Sequence, residues 1–293
     1  MSNRNVRVVK TGRRLKTGAM KPVNLVIVGS ALLICRAAAA ADLRPIVEVQ
    51  SGYLFGAIAD GKWIKPDEAA KSIENEVTYR VYGLTESLGE AKGGKAKLED
   101  VPCEETLFVA LSPKPEKGLI ALAAPWNALP RKPRVADTTQ QIYIDAVRDF
   151  LKTKGIKDPK VKIENILRVD LDGDGEEEVL ISATNYFSND NHVPVRSPAN
   201  SYSMVLLRRV VAGKVETQLV EGEFYAKAYP TPTESDASFN APNAYKVIGT
   251  FDLDGDGKLE IVVHSQYYEG EMTKIHKCDP KKAEAVLSVG CGA

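Results

Sequence analysis

One acidic sequence occurs twice in this chain, and the second copy follows the first at an offset of 82 residues. The six residues Asp-Leu-Asp-Gly-Asp-Gly stand at 170–175, with Glu178 shortly after them, and again at 252–257, with Glu260 shortly after them. Each copy is flanked by apolar residues rich in Val, Ile and Leu, which are typical of strands. The repeat therefore predicts a strand, a tight acidic loop and a second strand, formed twice.

The carboxylates of each loop have the spacing that a bound calcium ion requires. Calcium takes about 6 to 8 oxygen ligands, and a loop with carboxylates at positions 1, 3 and 5 can wrap around one ion, with Gly at position 6 permitting the turn. We predict two calcium sites, in which the residue at position 7 contributes its backbone carbonyl and the residue at position 9 its carboxylate. The predicted ligands are Asp170, Asp172, Asp174, Glu176 and Glu178 in the first loop and Asp252, Asp254, Asp256, Lys258 and Glu260 in the second.

Position 12 distinguishes these loops from related calcium loops. An EF-hand has a bidentate Glu at position 12 and helices on both sides, whereas this chain has Ile181 and Val263 there, inside apolar runs. In a dockerin the loop leads into a helix and the two copies lie much closer together. The loops instead resemble the FG-GAP or VCBS repeat of integrin-type β-propellers, in which a D-x-D-G-D-G loop joins two strands of a blade and the ninth position completes the calcium shell. The resemblance covers about residues 161–293.

This resemblance implies two propeller-blade-like antiparallel sheets of about four strands each. The chain departs from the family in having Glu rather than Asp at position 9, and in having two loops where a propeller has about 4 to 8 blades. We therefore predict a mainly β protein with one clear α-helix, composed of a partial propeller-like pair of sheets and an N-terminal β domain.

The sequence divides into four segments. Residues 1–41 contain eight Lys or Arg and no acidic residue, and their apolar run ends in alanines, which is typical of an export signal peptide, with Met20 as an alternative start. Residues 42–124 alternate short apolar stretches with turn sequences and predict a β domain. Residues 125–137 are rich in proline and predict a linker, so that residues 138–293 hold the helix and both repeats.

Two local predictions accompany this division. Asp137 is expected to cap the helix with Gln140 as its capping-box partner, and Gly155 is expected to end it. Its apolar face is predicted to contain Ile142, Tyr143, Ala146, Val147, Phe150 and Leu151. Residues 89–97, rich in Gly, Lys and Ala and without periodicity, are predicted to form a mobile loop.

The charge of the chain beyond the signal peptide indicates the class of partner. Without residues 1–41 the chain has 31 basic and 39 acidic residues, a net charge of about −8, which disfavours nucleic acid and anionic membranes.

A predicted hairpin turn at 279–282 pairs Cys278 with Ala283 and leaves Cys291 about 26 Å from Cys278 at about 3.3 Å per residue. Since a disulfide requires Cα atoms within about 7 Å, we predict the bond Cys103–Cys291.

The histidines suggest a further pairing. A hairpin turn centred on Gly270 would place His264 and His276 opposite each other across two strands. With no evident third ligand, this pair is better explained as an ordinary cross-strand contact than as a transition-metal site.

No catalytic motif such as G-x-S-x-G or H-E-x-x-H occurs in the chain. We expect a secreted or periplasmic calcium-binding repeat protein without a stable membrane anchor, in which calcium rigidifies the strand-joining loops of a binding or scaffolding surface. Its expected partner is an extracytoplasmic protein or glycan. Two alternatives remain open. One is a lectin-like binding module, and the other is an extracytoplasmic hydrolase with structural calcium, for which Trp63, Trp126 and residues 267–269 are the only indications.

Overall fold

The computed structural model describes residues 42–186, 193–228, 241–279 and 282–292, together with Gly12. The predicted signal peptide, apart from Gly12, lies outside the described residues. Strands account for 48% of these described residues and helices for 8%, so the prediction of a mainly β protein is confirmed, and none of the described antiparallel sheets is closed. No helix within these ranges is long and apolar enough to span a membrane.

The N-terminal part of the described chain forms a seven-stranded antiparallel sheet and a two-stranded sheet. Its elements are β1 (Arg44–Glu48), β2 (Leu54–Ala59), β3 (Lys62–Ile64), α1 (Pro66–Ala70), β4 (Val77–Tyr82), β5 (Ser87–Gly93), β6 (Lys97–Leu98), β7 (Leu107–Phe108), β8 (Leu111–Ser112) and β9 (Ile120–Leu122). The strand order in the larger sheet is β3-β2-β1-β9-β4-β5-β8, and β6 pairs with β7. The helix α1 is a second helix that the sequence did not predict, since five residues are too few to show a helical period.

The prediction of a mobile loop at residues 89–97 is wrong for most of its length. The first part of this segment belongs to β5, which pairs with β4, and Ala91 and Gly93 are buried. A Cβ atom at Gly93 would lie 2.5 Å from Cε2 of Tyr79, so glycine is required there by close packing and not by flexibility.

A five-stranded sheet follows and contains the first acidic loop. Its elements are β10 (Arg134–Val135), α2 (Gln141–Thr153), β11 (Ile163–Val169), β12 (Glu178–Thr184), β13 (Ser201–Val211) and β14 (Lys214–Tyr225), with the strands arranged in sequence order. The helix α2 begins later than predicted, because the Asp137 carboxylate accepts hydrogen bonds from the backbone and hydroxyl of Thr139 in a turn and does not cap the helix. Tyr143, Val147 and Leu151 are buried as predicted, whereas Ile142 is exposed.

The last sheet is a four-stranded antiparallel meander and contains the second acidic loop. Its strands, in order across the sheet, are β15 (Ala244–Phe251), β16 (Glu260–Tyr267), β17 (Gly270–Cys278) and β18 (Ala283–Gly292). Cys278 pairs with Ala283, as predicted, and the predicted disulfide Cys103–Cys291 is present, with its Cα atoms 5.4 Å apart.

The four-stranded sheet packs against both of the larger sheets. With the seven-stranded sheet it forms a core that includes Phe55, Ile120, Phe251 and Leu287. A second core joins it to the five-stranded sheet. The strand β15 lies at this second junction, since its N–H groups at Tyr245 and Val247 donate to hydroxyls of the five-stranded sheet. The described residues between 42 and 292 accordingly group into one compact unit.

Candidate metal-binding loops

Each acidic loop connects the paired ends of two neighbouring antiparallel strands. The first lies between β11 and β12, where Val169 pairs with Glu178, and the second lies between β15 and β16, where Phe251 pairs with Glu260. Apolar residues of the flanking strands are buried in the second core, which fixes where each loop begins and ends. The loops therefore sit at one end of a buried strand pair, as the sequence predicts.

The two loops have the same internal hydrogen bonds. In the first, both carboxylate oxygens of Asp170 accept backbone N–H groups, from Gly173 at 2.6 Å and from Gly175 at 3.1 Å. Asp172 and Asp174 each accept the N–H two residues ahead, and Glu178 accepts that of Leu171. The five equivalent bonds of the second loop have lengths within 0.1 Å of these. The repeated sequence thus encodes one conformation twice.

Glycines at positions 4 and 6 make this conformation possible. Gly173 and Gly175 have φ of 83° and 93°, and Gly255 and Gly257 have φ of 78° and 84°. Residues with a Cβ rarely adopt this left-handed region, so both glycines of each loop are required by the turn.

The structure brings three of the predicted ligands of each loop together. Oxygen atoms of the carboxylates at positions 1, 3 and 9 lie within 4.8 Å of one another in both loops, so that each cluster could hold a metal ion. The clusters are Asp170, Asp172 and Glu178 in the first loop and Asp252, Asp254 and Glu260 in the second. The carboxylates at position 5, Asp174 and Asp256, are not members of these clusters. The carbonyls of Glu176 and Lys258 stay predicted ligands.

Several of these carboxylates are buried, which makes their negative charge unfavourable without a nearby cation. Glu260 is 1% exposed, and burial, together with the neighbouring Asp254 carboxylate, raises its pKa to about 8. Burial also raises the pKa of Glu178 and of Asp252 above the usual value. A cation bound at the cluster would compensate for the lost hydration and for the mutual repulsion of these carboxylates.

Two side chains from the predicted linker cover equivalent positions of the two loops. The guanidinium of Arg131 packs on Gly173, and the ring of Trp126 packs on Gly255, where an added Cβ would meet these side chains at 3.4 Å and 3.1 Å. The indole Nε1–H donates to the carbonyl of Asp252 at 2.9 Å. Segment 125–137 therefore lies over both loops, and the role of Trp126 is to pack against the second one.

Arg131 also connects the two loops to each other. Its guanidinium donates to the carbonyls of Asp170 and Leu171 in the first loop and to that of Gly257 in the second. A direct backbone bond from the N–H of Leu259 to the carbonyl of Leu171, 2.7 Å long, lies beside it. The two candidate sites are consequently parts of one structure.

We expect Arg131→Ala to lower the free energy of unfolding by about 2 kcal/mol, because charged hydrogen bonds to three carbonyls are lost. Amide hydrogen exchange should become faster in both loops, although the substitution lies in neither. Lys132→Ala, an exposed neighbour, is the matched control for urea denaturation and exchange. Faster exchange in one loop alone would contradict the bridging role.

The other residues singled out in the sequence lie away from the clusters or at their margin. The prediction that His264 and His276 face each other is wrong, because a two-residue turn between Tyr267 and Gly270 shifts the register and pairs His264 with Thr273. The aromatic rings of residues 267 and 268 contact each other edge to face at that hairpin. Trp63 lines a cavity of about 460 Å³ beside the two loops.

Sequence reasoning missed Lys277, which lies on β17 next to the second loop. Its ammonium donates to Asp254 at 2.6 Å and to Asp256 at 2.8 Å. Burial lowers the pKa of this ammonium, but the two carboxylates outweigh burial and hold the pKa above its usual value. The only available signal was the position of Lys277 near the predicted hairpin turn.

Comparisons of the chain with protein-family models, with curated proteins and with solved structures found no match. The fold and the loops nevertheless define a class, a mainly β protein of several antiparallel sheets with two equivalent acidic clusters, each of which could hold a metal ion.

Proposed function

We propose that this chain is an exported calcium-binding protein in which two calcium ions rigidify the loops of a scaffolding or binding surface. The observation that carries the proposal is the convergence of the carboxylates at positions 1, 3 and 9 in two loops with the same hydrogen bonds. One such cluster could be incidental, but two at an identical place in a repeat indicate a shared chemical purpose.

Calcium is the ion that suits these donors best. Each predicted shell contains only oxygen atoms, from carboxylates and one backbone carbonyl, and neither cluster contains His or Cys. Hard divalent cations prefer such ligands, whereas zinc and copper favour imidazole and thiolate. Buried carboxylates such as Glu178 and Glu260 would supply the ninth-position ligand without competition from bulk water.

The place of the loops supports a structural role for calcium. The first loop belongs to the five-stranded sheet and the second to the four-stranded sheet, and Arg131 bonds to both. The N–H of Asp252 donates to the carbonyl of Ala128, which is buried against the seven-stranded sheet. Ions that fix both loops would therefore hold together the region where the sheets meet.

We further propose that the two meanders β11–β14 and β15–β18 are related to propeller blades. In each, the acidic loop joins the first two of four consecutive antiparallel strands. This arrangement supports the resemblance to FG-GAP or VCBS repeats. An extracytoplasmic protein or glycan is the partner class we propose for the surface that the loops stabilise.

Export is part of the proposal. The basic, acid-free residues 1–41 support it, and so does the disulfide Cys103–Cys291, since disulfides persist mainly in oxidising compartments outside the cytosol. The net charge of about −8 beyond residue 41 suits a protein that binds neither nucleic acid nor anionic lipid.

We expect isothermal titration of the purified, chelator-treated protein with calcium to give two ions per chain. Dissociation constants of about 10⁻⁴ to 10⁻³ M are typical of extracellular modules. Calcium at 100 times the dissociation constant would stabilise the fold by about 2.7 kcal/mol per site. Asp172→Asn should remove one ion, and Asp60→Asn, at an exposed Asp-Gly turn, should remove none. A melting temperature that millimolar calcium does not change would refute the proposal.

A further inference from the structure

Each loop has a basic side chain beside it, but only in the second loop does that side chain donate to two of the carboxylates. In the first loop, Nε of Arg131 lies 3.9 Å from Oδ1 of Asp170 and donates to the backbone carbonyl of the same residue. The ammonium of Lys277 lies 2.6 Å from Oδ2 of Asp254 and 2.8 Å from Oδ2 of Asp256. The Asp254 side chain is only 5% exposed, so this ion pair is shielded from water on one side. The carboxylates at positions 3 and 5 are therefore already partly neutralised in the second loop.

The first loop has a basic residue at the equivalent place. Its charge partly offsets the rise that burial causes in the pKa of Glu178, but it forms no ion pair with Asp172 or Asp174. Val179 pairs with Arg208 and Ile261 pairs with His276, so Arg209 on β13 corresponds to Lys277 on β17. The guanidinium of Arg209 donates to Gln218, 3.2 Å away. Among the described residues, no Lys, Arg or His nitrogen lies within 4.0 Å of the carboxylates of Asp172 or Asp174.

We infer that Lys277 is a built-in counterion that competes with calcium at the second loop, which makes the first loop the tighter calcium site. This inference rests on the proposed function. A divalent ion that enters the second loop must displace the ammonium from two carboxylates and then remain close to its charge, at a Coulombic cost. No such displacement is needed at the first loop.

The surroundings of Lys277 provide for this displacement. Lys277 lines the cavity of about 460 Å³ beside the loops, and the side chains of Asp279 and Glu284 line the same cavity. A lysine side chain has four rotatable bonds, so its ammonium can move several ångströms toward these carboxylates without a backbone change. Without metal, the same ammonium keeps the second loop folded by bonding the two aspartates that would otherwise repel each other.

The test is calcium titration calorimetry on the full chain. Wild type should show two classes of site, the tighter one lost in Asp172→Asn and the weaker one lost in Asp254→Asn. Lys277→Met should tighten the weaker site by about tenfold or more, since one positive charge beside the ion is removed. Lys95→Met, with the same charge change at an exposed residue between β5 and β6, is the control and should leave the affinity of both sites unchanged.

A second measurement needs no variant and remains valid if Lys277→Met fails to fold. In chelator, amide exchange in wild type should be slower at Gly255 and Gly257 than at Gly173 and Gly175, because Lys277 holds only the second loop. The inference would be overturned if amide exchange were equal in the two loops, or if Asp254→Asn removed the tighter site. Either result would leave the proposal of two calcium sites standing. Failure of every variant and of wild type to bind calcium would instead refute the proposed function.

Discussion

Replacing Cys103 and Cys291 together by serine is expected to lower the free energy of unfolding by about 3 to 5 kcal/mol. The bond joins residues 188 positions apart, and a cross-link that closes so long a loop restricts the unfolded chain strongly. It also joins a loop of the N-terminal region to the last strand, where Thr106 donates a hydrogen bond to the carbonyl of Gly290. Urea denaturation of the oxidised wild type and of the double variant measures the difference.

The third cysteine provides the control for this experiment. Cys278 is a free thiol on β17, and burial raises its pKa to about 12, so it is protonated and unreactive near neutral pH. Cys278→Ser should cost about 1 kcal/mol or less. Equal losses in the double variant and in Cys278→Ser would show that the disulfide contributes nothing beyond side-chain packing.

The features predicted correctly are those that neighbouring residues determine. The two acidic loops between paired strands each follow from a few consecutive residues. The disulfide was predicted because one hairpin register excluded one pairing, and that register is confirmed. Such inferences need only local geometry and one distance limit.

The features that were missed depend on contacts between distant segments. Arg131 and Trp126 lie in a proline-rich stretch that has no periodicity, and only the folded chain places them on loops 39 to 126 residues away. The register of the β16–β17 hairpin was mistaken because Tyr268 and Glu269 alone form its turn, and no Gly or Asn at those positions indicates this. The three clustered carboxylates of each loop could therefore be predicted from the sequence, whereas the residues that pack on the loops could not.

Without calcium, the stability of the folded protein should fall as pH rises, because burial raises the pKa of Glu260. In chelator, the folded protein retains the Glu260 proton up to pH of about 8, whereas the unfolded chain releases it near 4.5. The folded state therefore binds more protons between these values, and its stability falls by up to about 1.4 kcal/mol per pH unit as pH rises. The stabilisation that protonated Glu260 contributes is complete below pH 4.5 and lost above pH 8. Urea denaturation from pH 5 to 8 measures the slope.

Glu260→Gln keeps an oxygen that can accept the N–H of Leu253 but removes the titrating group. In chelator at pH 8 this variant should be more stable than wild type, and its stability should depend less on pH. The remaining pH dependence should come from Glu178 and Asp252, because burial also raises their pKa values. In saturating calcium the order should reverse, because the ion binds the ionised carboxylate and the amide is a poorer ligand. Glu216→Gln, an exposed residue on β14, should change neither result. If Glu260→Gln were less stable than wild type under both conditions, the buried carboxylate would be a purely structural hydrogen-bond acceptor, and the second loop would have no need of a cation.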